Sequence, residues 1–175
     1  MTRHNRLLRS TRGAAAVELA LVTPLLLILM MGSMELGNYF LDEHALVKGV
    51  RDGARYAARQ GFSNYTCPSG TVPGGTVVGD TQNVVRTGVV SGGTSRLAGQ
   101  TNAMITVTMS CKSDLANGSA TPPAGIYRNA SGATPYAPVV IVSATVPYTP
   151  VMKSFGFRGV GMNLNAKQQA AVMGI

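Results

Sequence analysis

From Ala14 to Met34 the chain is apolar, and one charge interrupts it. Ala14-Ala15-Ala16-Val17 leads into Glu18, and Leu19 to Met31 then holds a lone Thr and a lone Pro among Leu, Ala, Val, Ile and Met. Twenty-one helical residues rise about 31 Å, which matches the ~30 Å hydrocarbon core of a bilayer. Beyond Met34 the apolar positions recur at threes and fours. Leu36, Phe40, Val47, Val50, Ala54 and Ala58, flanked by Tyr39, Leu46 and Ala57, fill one arc of a helix. Lys48, Arg51, Arg55 and Arg59 gather on another, and Gly61 supplies a stop. Residues 14–61 therefore read as one helix of about 70 Å, bent where Pro24 removes a backbone donor.

Three features of this helix call for partners. The basic stripe reads as a solvated face partly paired by Lys48–Asp52, or else as a contact for a neighbouring subunit's acidic face through Arg51, Arg55 and Arg59. Glu43 falls within the apolar arc, either at its edge in water or paired with a base from the globular part or a neighbour. Gly49, Gly53, Ala57 and Gly61 form a ridge of small residues one turn apart. Glycine inside a helix costs up to ~1 kcal/mol against Ala, which close approach of another backbone would offset. The chain's own sheet is the expected partner.

From residue 62 the composition turns to Gly, Thr, Ser, Pro and Val. Residues 62–79 read as loop, and Asp80 as the cap of a short helix running to Val90. Ala103 to Cys111 alternates, with Ile105, Val107, Met109 and Cys111 on one face, which predicts a half-buried strand. Residues 112–137 form a second loop. Pro138 precedes a strand over Val139–Val146, and a last strand is expected within Gly161–Met173. An amphipathic helix on antiparallel strands gives an α+β architecture. The expected parts are a leader (1–13), a membrane helix (14–35), an amphipathic helix (36–61) and a β-rich domain (62–175).

Charge adds the direction. The formal charge of +8 would suit nucleic acid, but Arg3, Arg6, Arg9 and Arg12 all precede the apolar stretch. Without residues 1–13 the 15 basic side chains become 11 against 7 acidic ones, and no aromatics interleave them as in a single-strand binder. No nucleic-acid partner is expected. Arginines before the span and none within it predict a cytoplasmic N-terminus, with everything after residue 35 outside the cytoplasm. A secretory signal cut near Gly32-Ser33, or an uncut signal anchor, competes with this reading. Neither accounts for Glu18, because a carboxylate in a membrane helix costs roughly 2.5–3.5 kcal/mol on insertion scales. If the chain is cut after Gly13, Ala14 gains a free ammonium and Glu18 becomes the fifth mature residue. Glu18 of one subunit could then neutralise Ala14 of the next at one axial stagger, registering a filament.

Basic leader, Gly13, four residues, Glu18 and an apolar helix resemble the prepilin-peptidase site of type IV pilins and pseudopilins. The run Arg12-Gly13-Ala14-Ala15-Ala16-Val17-Glu18 through Leu26 resembles the opening of the TadE-like minor pilins of tight-adherence (Flp) pili. Glu35-Leu36-Gly37 and Arg51-Asp52-Gly53-Ala54-Arg55-Tyr56-Ala57-Ala58 are similar to that family's helix, although Leu19 stands where an aromatic is usual. The resemblance covers residues 12–61. It implies a pilin-like fold, processing by a prepilin peptidase, and as partners other pilins or pseudopilins, the inner-membrane assembly platform and the lipid bilayer. A chain with over a hundred residues beyond the helix looks like a minor subunit.

Candidate chemistry is sparse. Cys67 and Cys111 are the only cysteines, and outside the cytoplasm they would oxidise to a disulfide. Two free buried thiols are the alternative. His4 leaves with the leader and His44 stands alone, so no metal site is expected. Gly74-Gly75-Thr76-Val77-Val78-Gly79 lacks the Lys-Ser/Thr of a phosphate loop, and no hydrolase nucleophile motif is visible. No cofactor and no enzymatic activity are expected. Two functions stay open: a minor pilin that primes, caps or couples a surface-adhesive pilus, and a tethered extracytoplasmic adhesin or binding module that uses a pilin-like anchor.

Overall fold

The computed structural model describes residues 13–67, 69–113, 127, 136–156, 159 and 161–174. One helix, α1, runs from Ala14 to Ala58 with Pro24 inside it. A second helix, α2, spans Val77–Thr87. Three strands follow, β1 (Ile105–Ser113), β2 (Tyr136–Pro147) and β3 (Asn163–Ala171), in the order β1-β2-β3. Both pairings are antiparallel. The architecture is α+β. The chain divides into two compact units, one of α1 through Tyr39 with the segment from Pro150, the other from Phe40 to Thr149 with the segment from Gly159.

The sheet unit takes its core from alternation and helical spacing. Ile105, Val107 and Met109 of β1 are buried, as are Val140, Val142, Ala144 and Val146 of β2, and Leu164 of β3. From α1 come Leu46, Val50, Ala54, Ala57 and Ala58, and from α2 Val77, Val84 and Val85. The apolar arc of α1 is therefore buried only in its lower half. Leu36 and Phe40 are more than half exposed, and the buried face past Leu46 is rotated toward Gly49 and Gly53. The reason is the partner: α2 packs on the glycine side of the helix.

The small-residue ridge thus meets a helix rather than the expected sheet. A Cβ on Gly49 would stand 2.6 Å from the Val85 carbonyl oxygen, and one on Gly53 would stand 2.4 Å from Val85 Cγ2. Gly61 takes no part in this approach, having only Ser63 nearby. Helix α1 ends three residues before Gly61, in a tightened turn where Arg59 N–H donates to Tyr56 O and Gln60 N–H to Ala57 O. The orphaned Ala58 carbonyl accepts from Met173 N–H at 2.7 Å, just past β3.

Helix α2 begins at Val77, three residues before Asp80 and inside the segment read as loop. Thr76 is its N-cap residue, and the Thr76 hydroxyl donates to Asp80 Oδ2 at 2.6 Å, placing an acid in the first turn beside the positive end of the helix dipole. It stops at Thr87 rather than Val90 because Gly88 takes a left-handed conformation (φ 87°) and its N–H caps Val84 O. Strand β3 lies within its expected range, whereas β1 is shifted two residues along and β2 is longer at both ends. Ala103 and Met104 belong to a short 3-10 turn, whereas β2 starts at Tyr136 and includes Pro138, paired in register with Cys111. Between these strands, most of the loop expected over 112–137 lies outside the described residues.

Two cross-links close the unit. Cys67 is joined to Cys111, fixing the segment after α1 to β1, and Met109 N–H donates to Thr71 O at 2.8 Å beside it. Tyr65 is buried and its hydroxyl donates to Ala57 O. Burial first, and then the neighbouring Tyr56, pushes the Tyr65 phenol up to about 12.

Candidate processing and assembly site

Gly13 and Ala14 are exposed at the start of α1, and the leader before Gly13 lies outside the described residues. Glu18 sits one turn beyond Ala14, so the two project from the same side of the helix. Glu18 is exposed among exposed apolar neighbours, with Val17 at 61% and Leu21 at 74%. The helix is long and apolar enough to cross a membrane, and its apolar window is wholly uncovered by the rest of the chain. Its hydroxyls are satisfied internally: Thr23 donates to Leu19 O at 2.6 Å and Ser33 to Met30 O at 2.9 Å. Beside Pro24 this gives the turn a hydrogen bond that needs no water.

Further along the helix the expected contact residues separate. Arg51, Arg55 and Arg59 are exposed, and none of them forms an ion pair among the described residues. Glu43 is half-buried and likewise has no ion pair among the described residues. The expected Lys48–Asp52 pair is replaced. Asp52 bonds instead to Arg96 at 3.2 Å, because the loop after α2 carries that guanidinium across Gly49 and Gly88. Burial raises the Asp42 carboxyl above its ordinary value. Tyr56 is raised too, chiefly by burial and then by the charge of Asp80, to which its hydroxyl donates at 3.4 Å.

A residue given no role by the motif reading occupies the end of the apolar stretch. Glu35 is 7% exposed, and its carboxylate accepts Val151 N–H at 3.2 Å and Met152 N–H at 2.9 Å, one on each oxygen. Both belong to the same unit as the first part of α1. A second acid immediately after the apolar run was the available signal. Its donors, 116 and 117 positions away, carried none.

A long N-terminal helix, bare over its apolar part, followed by a small antiparallel sheet defines an α+β protein with one candidate membrane span. Residues 13–55 match the family described as TadE-like protein. Over this helix, about a quarter of the chain, the protein is similar to that family. No curated protein and no solved structure matches the chain.

Proposed function

We propose that this chain is a structural minor pilin, or pseudopilin, of a Tad/Flp-type pilus used for surface adhesion, and not an enzyme. A prepilin peptidase cuts it after Gly13, and the mature chain crosses the inner membrane with its N-terminus cytoplasmic and its sheet unit outside. There it joins other pilins on the assembly platform. The observation that carries the reading is Glu18, a lone carboxylate in an uncovered apolar helix, one turn from the residue that cleavage would leave with a free amine. Burying that carboxylate without a partner is expensive, and a neighbour's Ala14 ammonium is the cation that processing creates. The four arginines of the leader and the absence of basic residues within the span support the orientation.

Mass spectrometry of the membrane-extracted protein, coexpressed with its peptidase, tests the proposal. A chain starting at Ala14 is expected. Intact Met1 in cells with an active peptidase would sink it and leave the tethered adhesin. Replacing Gly13 by a bulky residue should block the cut while insertion continues.

A further inference from the structure

The turn that Glu35 holds has its own chemistry. Val151 is 59% exposed, and Lys153 and Ser154 are exposed beside it. Lys153 opens a one-turn 3-10 helix that ends at Gly156. On the helix side of the clamp, Met34 and Leu36 are 60% and 56% exposed. Exposed apolar side chains therefore flank the clamp on the helix, at Met34 and Leu36, and on the turn, at Val151, with the exposed Lys153 in the same turn. The depth is set by arithmetic. Residues 14–34 fill about 31 Å, so Glu35 falls where hydrocarbon meets headgroups.

Polar satisfaction points the same way. A carboxylate at that depth is costly unless bonded, and so are free backbone N–H groups. Glu35 and the amides of Val151 and Met152 satisfy one another in one charge-assisted pair of hydrogen bonds. We propose that the 151–154 turn is a membrane-surface contact, with Val151 entering the acyl–headgroup boundary and Lys153 meeting lipid phosphate. Glu35 holds it there. This inference rests on residues 14–34 spanning the bilayer and concerns a second, peripheral attachment on the far side of that span.

The chain has no Trp, so a single introduced Trp reports one position without background. Val151→Trp and Leu29→Trp are each placed in the full chain and reconstituted into vesicles of phosphatidylcholine and phosphatidylglycerol. Some vesicles carry a lipid with a nitroxide near the top of its acyl chain. Interfacial residues lie ~5–10 Å into the boundary, so V151W should lose roughly half its emission to that lipid and be shielded from aqueous iodide. Adding Glu35→Gln should abolish most of that quenching, and the same loss in a Glu35→Ala double variant would confirm the anchor.

If L29W is quenched by lipid nitroxide at mid-chain while V151W responds only to iodide, the span stands and the turn contact is wrong. A V151W signal shielded from both lipid and iodide would instead mean a protein partner, which also overturns it. Quenching that survives both Glu35 substitutions removes the anchoring role. An L29W probe untouched by any lipid quencher would show that the membrane helix itself had been misread.

Discussion

Gly49 of α1 lies so close to α2 that a Cβ there would stand 2.6 Å from the carbonyl oxygen of Val85. Gly53, one turn on, faces Val85 Cγ2 and the Thr81 backbone instead. Neither neighbour yields easily, because the Val85 carbonyl belongs to the helix backbone and the Val85 side chain is buried and held to one rotamer by its β-branch.

Gly49→Ala should destabilise the sheet unit by about 1–3 kcal/mol through overpacking, even though Ala is favoured over Gly in a helix. Gly53→Ala should cost a comparable amount, since its Cβ would stand 2.4 Å from the buried Val85 side chain. Chemical denaturation of the two variants checks this, and neutral or stabilising effects would mean that α2 moves freely on α1.

Tyr65 makes stability fall with alkaline pH. Its phenol ionises near its ordinary value of 10.0 when unfolded and only at about 12 when folded. Between those values the folded state binds more protons, so stability is full below about pH 10 and is lost as pH climbs toward 12. The contribution is roughly 2–3 kcal/mol, since Tyr65 is buried. Tyr65→Phe should flatten this alkaline slope, measured as denaturation midpoints from pH 8 upward, while losing the bond to Ala57 O at neutral pH.

The Cys67–Cys111 link closes a loop of 44 positions and should contribute about 4 kcal/mol by constraining the unfolded chain. Replacing both cysteines by Ala should lower stability by that order without changing the strand pairing. Non-reducing peptide mapping of the protein from its native host should recover the linked peptides. Two alkylatable thiols under native conditions would argue against an oxidising location.

Glu18→Val should leave membrane insertion intact or improved, since a charge leaves the span. Entry into pili should collapse, because a neighbour's Ala14 ammonium is left unpaired at a cost of ~3–5 kcal/mol. Glu18→Asp should show an intermediate defect. Wild-type incorporation of a normally processed Glu18→Val chain would end the registration role.

Local patterns gave most of the elements. Ile105, Val107 and Met109 alternate because β1 buries one face, and the 14–34 stretch is legible because a helix able to cross a membrane needs a long apolar run. Long-range pairing was not legible. Asp52 had Lys48 at helical spacing and nevertheless pairs with Arg96, which no periodicity connects to it. Pro138 read as a strand boundary because it lacks a donor, yet its carbonyl accepts from Val172 N–H and β2 continues through it to Tyr136. The start of α2 was obscured by Pro73, Gly74 and Gly75, which are turn residues up to the point where Thr76 begins the helix. Glu18 was conspicuous as the lone charge in an apolar run, whereas Glu35, the last residue of the expected membrane helix, has no basic residue at helical spacing in the sequence.

The bond from Met173 N–H to Ala58 O joins positions more than a hundred residues apart, and Val172 beside it is fully buried. Strand β3 and the close of α1 therefore complete one another. Contacts of such sequence separation form slowly and late. A chain emerging N-terminus first from the ribosome can build its long helix at once. It cannot seal the sheet unit until residue 173 has emerged, so the unit closes only as synthesis ends.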